Sequence, residues 1–165
     1  MTNNITYNQL IDIFKDIADR HLQLNDYFSG TIEQFSGRIN KYPILVTTPA
    51  PSMLTKSNNL FNTTIFSFNI FLADLVNNDN NNDNDVRSDT HQIICDIISE
   101  LSQHKFYRDN DIIISNDIDL NPFIDRFSDQ VAGWYFTLLL KVPYRYNYCQ
   151  SPSFPKDNSE IIGRC

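Results

Sequence analysis

The sequence predicts an α+β domain: an antiparallel or mixed four-stranded sheet flanked by helices, in the order α-β-β-α-β-β, with an extended C-terminal arm. Three observations predict it. The first segment repeats apolar residues at helical spacing. The stretches 60–76 and 130–142 alternate side chains with period two, as strands do. A proline-edged, aromatic segment then follows Pro143. Residues 1–142 are expected to form the single domain, with 77–88 as a flexible insertion loop and 143–165 as the arm.

A chain of 165 residues with 41% hydrophobic content, 12 Phe and 8 Tyr is long and apolar enough for one core. No apolar run reaches the roughly 18 residues that span a bilayer, so no membrane partner is expected. The opening MTNNITYNQL has neither the basic nor the apolar part of a secretory leader. Three scattered cysteines, Cys95, Cys149 and Cys165, do not make a disulfide framework, which fits assembly inside a cell.

The first helix begins at Thr6 with Gln9 three residues on, a capping-box pattern. Tyr7, Leu10, Ile11, Phe14, Ile17, Ala18 and Leu22 form its apolar stripe, and the helix is expected to stop before Ser29-Gly30. Residues 31–40 are ambiguous between a short strand and an extended arm. Ile44-Leu45-Val46-Thr47-Thr48 is a strand closed by Pro49 and Pro51. In the next strand Leu60, Phe66, Phe68, Ile70 and Leu72 share one face, and the mixed opposite face is partly wet or meets another subunit.

The run NNDNNNDND at 77–85 cannot bury apolar area and reads as a mobile loop. Its alternating acids fail as a calcium loop, because Asn84 stands where glycine is needed and Thr90 where glutamate is needed. Asp89 with Gln92 would cap the second helix, whose stripe is Ile93, Ile94, Ile97, Ile98 and Leu101. Ile112–Ile114 gives the third strand. In the last, Ala132, Trp134, Phe136, Leu138, Leu140 and Val142 share one face, and Trp134 is expected to be a core anchor. Val131, Tyr135, Thr137, Leu139 and Lys141 line the other, so this is a central strand covered on both sides, or an interface strand.

Chemistry-bearing patterns are sparse. There is no nucleophile elbow and no glycine-rich phosphate loop, and the chain has only four Gly. Asp125 with Asp129, or Asp109 with Asp111, would do acid–base work only in a cleft that raises one pKa. His91 and Cys95 share a helical face, but two ligands are not a metal site. His104 and Cys149 lie in different elements. No catalytic residue, metal or cofactor is therefore expected. The net charge of −7 and dispersed basic residues argue against specific nucleic-acid binding. Phe61, Ile65, Phe71, Tyr135 and Leu139 on the strands, with Tyr144, Tyr146, Tyr148 and Phe154 on the arm, are the interface candidates.

Three segments resemble small neck and tail proteins of tailed bacteriophages, especially crAss-like phages of Bacteroidetes. They are the amphipathic opening helix, Tyr42-Pro43-Ile44-Leu45-Val46 with Pro49 after Phe35–Ile39, and Asn121-Pro122-Phe123 with Asp129-Gln130-Val131-Ala132-Gly133-Trp134. The last leads to an exit marked by Pro143, Cys149 and Pro152. The resemblance implies a structural, non-enzymatic virion protein: a tail terminator, tail-completion or ring protein forming a homo-oligomeric ring at the head–tail junction or in the tail. It implies partners in itself and in neighbouring portal, neck or tail proteins, with DNA passing through the lumen, and assembly in the bacterial host cytoplasm. A head–tail connector adaptor and a small-ligand binding module are the alternatives.

Overall fold

A computed structural model describes residues 4–57, 60–77, 79, 81–126 and 129–144. The class is α+β, as the alternating and helical periods predicted. The sheet is larger than expected: six mixed strands instead of four. The element order is α-β-α-β-β-α-α-β-β-β.

Helix α1 (Tyr7–Arg20) starts as its sequence dictates. Thr6 accepts from the Gln9 N–H, and the Gln9 side chain returns a bond to the Thr6 N–H. Leu10, Ile13, Phe14, Ile17 and Ala18 are buried. The helix ends earlier than predicted. Leu22, counted in its apolar stripe, is fully exposed. The chain then forms β1 (Asp26–Ser29), which the expected helix had absorbed.

The ambiguous stretch after Gly30 contains a short helix, α2 (Ile32–Ser36). Thr31 and Gln34 make a second capping box, the same signal that marked α1. Strand β2 (Ile44–Ser57) pairs in parallel with β1 over Ile44–Thr47. It does not stop at Pro49 and Pro51. Beyond Thr47 no strand of the described residues pairs with its outer side, and a free edge tolerates residues that cannot donate. An irregularity between Ala50 and Met53 absorbs Pro51.

Strand β3 (Leu60–Leu75) runs antiparallel to β2. Helix α3 (Asp83–Gln103) begins six residues before the predicted Asp89 cap, with Asn82 as N-cap. Residues 83–88 of the expected loop are thus helical. Two causes lie in the sequence: Asp83 and Asp85 suit a helix N-terminus, and Val86 and Thr90 are buried in the first turns. A single turn, α4 (Lys105–Asp109), leads to β4 (Ile113–Ile114). Strand β5 (Asn121–Arg126), unpredicted, precedes β6 (Gln130–Pro143). The spatial order is β1-β2-β3-β6-β4, and β5 pairs with β6 further along the same edge.

Helices α1 and α3 cover one face. There Phe68, Ile70 and Leu72 of β3 and Phe136, Leu138 and Leu140 of β6 are buried against Phe14, Ile17, Ile94 and Ile97. These are the faces that the period-two alternation assigned to the core. Trp134 shares that side but is only half-buried, a correction to its expected role as a core anchor. It packs at the margin, where its indole N–H donates to the Arg87 carbonyl at 2.8 Å and its ring meets His91 edge-on.

A candidate assembly interface on the open sheet face

Among the described residues, a helix covers the opposite face at one end only. Phe35 of α2 packs with Ile44, Val46, Ala73 and Val131 into a second, smaller cluster. Helix α2 is a single turn, too short to screen more. From Phe71 onward along β3 towards Ile65, no helix of the described residues lies on this face.

The uncovered part is built by register. Phe71 of β3 stands opposite Tyr135 of β6, and their rings stack at 5.6 Å. Phe123 of β5 stands opposite Gly133 and turns its edge to Phe71 at 6.1 Å and to Tyr135 at 6.4 Å. Ser67 then pairs with Leu139, and Ile65 with Lys141. Between the aromatic and aliphatic parts, Thr137 donates to the Asn69 side chain at 2.9 Å across the strands. That pair ties β3 to β6, with Ser67 and Lys141 interleaved among the apolar side chains beyond it. Tyr135 is 39% exposed, Leu139 37% and Ile113, beside Lys141, 59%. On the free edge Met53 and Leu54 are more than half exposed.

The register brings the interface candidates Ile65, Phe71, Tyr135 and Leu139 onto one face, with Ile65 and Phe71 half-buried. The backbone of Phe61 pairs with Lys56, while its side chain lies outside the described residues. Tyr144 is half-buried and its N–H donates to Asn62 at 2.8 Å, extending the β3–β6 ladder. Tyr146, Tyr148 and Phe154 lie outside the described residues. The sequence reading missed Phe123 and Ile113. Ile113 lay in the predicted third strand, but nothing local shows which face it joins; β5 is short and recognisable only by its pairing with β6.

The helix side is charged and internally paired. Arg20 bridges Asp16 at 2.8 Å and Glu100 at 2.6 Å, tying α1 to α3. The Arg20 bond holds the Asp16 carboxyl below its ordinary pKa. Arg38 bonds Asp26 at 2.8 Å and lies over the Phe28 ring. A shallow groove of about 350 Å³ runs past Lys15, Asp19, Leu24 and Asp26, but its charges are already engaged: Lys15 with Asp19 and Asp26 with Arg38. His91 Nδ1 and Cys95 Sγ are 3.8 Å apart, a weak contact within one helix. Among the described residues no three His, Cys, Asp or Glu side chains gather as metal ligands would. No helix among them is long and apolar enough to cross a membrane.

Comparison with known proteins adds no family: no family model matches the chain, and no curated protein matches it.

Proposed function

We propose that this chain is a structural virion protein that forms a homo-oligomeric ring in the head–tail junction or tail of a tailed bacteriophage, as a tail terminator, tail-completion or ring protein. The observation that carries the proposal is the half-covered sheet. One face is buried under two helices, while on the other Phe71 and Phe123 are half-buried beside the Phe35 cluster, and Tyr135, Leu139 and Ile113 are exposed with no helix of the described residues over them. Aromatic and aliphatic side chains gathered on an uncovered face mark a protein contact. The phage resemblance of residues 42–46, 121–123 and 129–134 says which kind.

A closed ring needs two different surfaces per subunit, meeting head to tail. The open face is one. The segment after Pro143 supplies the other. The helix layer then points away from the contact. Its exposed acids Asp12 on α1 and Asp85 and Asp89 on α3, beyond the ion pairs that engage Asp16 and Asp19, accord with a net charge of −7. Turned to a lumen, that layer repels duplex DNA and lets it slide without sticking. The role in this reading is architectural and non-enzymatic, as the phage resemblance implies. Its partners are copies of itself and the adjoining portal, neck or tail proteins; the head–tail connector adaptor is the variant of this reading one layer nearer the capsid.

Electron cryomicroscopy of purified particles, with symmetry left free, tests the proposal. The expected result is a ring of this fold in the neck or tail. Absence of the chain from particles would overturn it.

A further inference from the structure

We propose that the open sheet face receives residues 146–154 of an adjacent copy of this chain, so that each subunit donates one segment and accepts one. The inference rests on the ring reading and names the contact that closes it. Its starting point is where the chain leaves the sheet. Strand β6 carries both Tyr135 and Leu139 and ends at Pro143 on the same sheet. The Tyr144 N–H still donates to Asn62, so the chain keeps its direction as it departs. It is moving away from Tyr135, which lies eight residues behind Pro143, about 27 Å at 3.4 Å per residue.

The sequence that follows suits a neighbour's face better than its own. Returning to its own Leu139 would demand a reversal directly after Tyr144. No glycine occurs between Tyr144 and Gly163, while Pro152 and Pro155 restrict the backbone, and each residue before them, to extended conformations. The span Arg145–Cys165 reaches on the order of 70 Å when extended, ample to cross to the next subunit. Tyr146 and Tyr148 alternate, so an extended segment presents both rings to one side. They meet a surface that already holds Phe71, Phe123 and Tyr135, and offset or edge-on ring pairs are favourable there. Docking onto the face is also favoured over adding a strand. Pro49 and Pro51 interrupt the free edge of β2, and Pro122 that of β5, which blocks a continuous ladder. Donor and acceptor surfaces differ, as head-to-tail closure requires.

Cys149 lies inside the donated segment and provides the test. In the full chain with Cys95→Ser and Cys165→Ser, one variant adds Thr137→Cys with Cys149→Ser, and a second keeps Cys149 alone. The two are mixed and mildly oxidised. Only contact between chains can link them, and the expected product is a disulfide-linked pair of one variant with the other. Repeating with Lys141→Cys guards against a poor sulfur geometry at Thr137. Leu22→Cys, fully exposed but off the face, is expected to give no such product. A single chain carrying both Thr137→Cys and Cys149 should form a covalent ladder. Linkage only within one chain, or none at either position, would overturn the inference. The uncrosslinked mass separates the two ideas: an oligomer without the cross-link sinks the tail docking and leaves the ring, whereas a monomer at every concentration sinks both.

Discussion

Gly133 shows how one residue can hold a sheet together. A Cβ built there would collide with the Leu72 carbonyl oxygen on the neighbouring strand. Glycine in a strand interior costs entropy, and it persists here because β3 and β6 approach too closely for a methyl group. Gly133→Ala should destabilise by roughly 3 kcal/mol, the upper end of overpacking costs, read from the denaturation midpoint. A loss below about 0.5 kcal/mol, the usual surface-substitution scatter, would contradict that close approach. Trp134 carries a different role. It was legible as a β6 residue in phase with Phe136 and Leu138, but its position at the margin depends on Arg87 of α3, a partner that no local pattern reveals. Trp134→Phe keeps the ring and removes the donor to Arg87, so it should cost about 1 kcal/mol. One half-buried phenol, Tyr27, and one buried phenol, Tyr107, set the alkaline limit. Burial pushes Tyr27 up to about 12 and Tyr107 higher still, because the charged form is poorly solvated there. Both are neutral in the fold, so their contribution is complete below the ordinary phenol pKa of about 10 and is lost as pH rises through the raised values. The buried Tyr107 hydroxyl has no hydrogen-bond partner among the described residues. Tyr107→Phe should therefore leave stability at pH 7 unchanged or slightly higher, and should flatten the fall above pH 10. A parallel fall in both proteins would count against the buried phenol.

Elements were legible where their pattern was long. α1, β3 and β6 follow from periodicity, because a sustained period of 3.6 or 2 outweighs local noise. β4 was legible from the run Ile112–Ile114, although only two of those residues pair; β1, α2 and β5 were not, since four to six residues carry too little pattern and their identity comes from tertiary context. The prolines in β2 misled for a physical reason: they end a central strand but not an edge, and edge status is a tertiary property. The start of α3 was obscured by the polar run at 77–85. Its first turn is nonetheless engaged, with the Arg87 and Asp83 side chains 3.1 Å apart and Val86 buried. The two halves of that run should therefore respond differently to substitution. Replacing only 78–81 with glycine and serine should shift stability by less than about 0.5 kcal/mol, as surface changes do. Extending the replacement through Asp85 should cost at least about 1 kcal/mol more, since it removes the Asp83 partner and puts glycine in a helix. Equal effects in thermal denaturation would contradict a helix beginning at Asp83.

At the scale of the molecule, the sheet is finished on one side and unfinished on the other. The sequence announced this in part. Apolar residues on both faces of β6 implied either cover on both sides or an interface strand; α1 and α3 cover one face, and among the described residues α2 covers one end of the other. What alternation could not show was how little of the second face α2 reaches, because that depends on the length of a helix hidden in an ambiguous stretch. Ile65, Phe71, Tyr135 and Leu139 come together on one surface by register, and they are joined by Ile113 from the predicted third strand and by Phe123 from β5, which the sequence did not reveal. Such a face exposes apolar area to water at about 25 cal/mol per Å² until something covers it. Sedimentation velocity over a rising concentration series, on the full chain and on Leu139→Glu, tests the self-assembly of this face most directly. The wild type is expected to gather into one closed species of fixed size, while Leu139→Glu, with unchanged circular dichroism and melting temperature, stays monomeric. A wild type that remains monomeric at every concentration, or an oligomer untouched by the charge at Leu139, would contradict assembly through the open face.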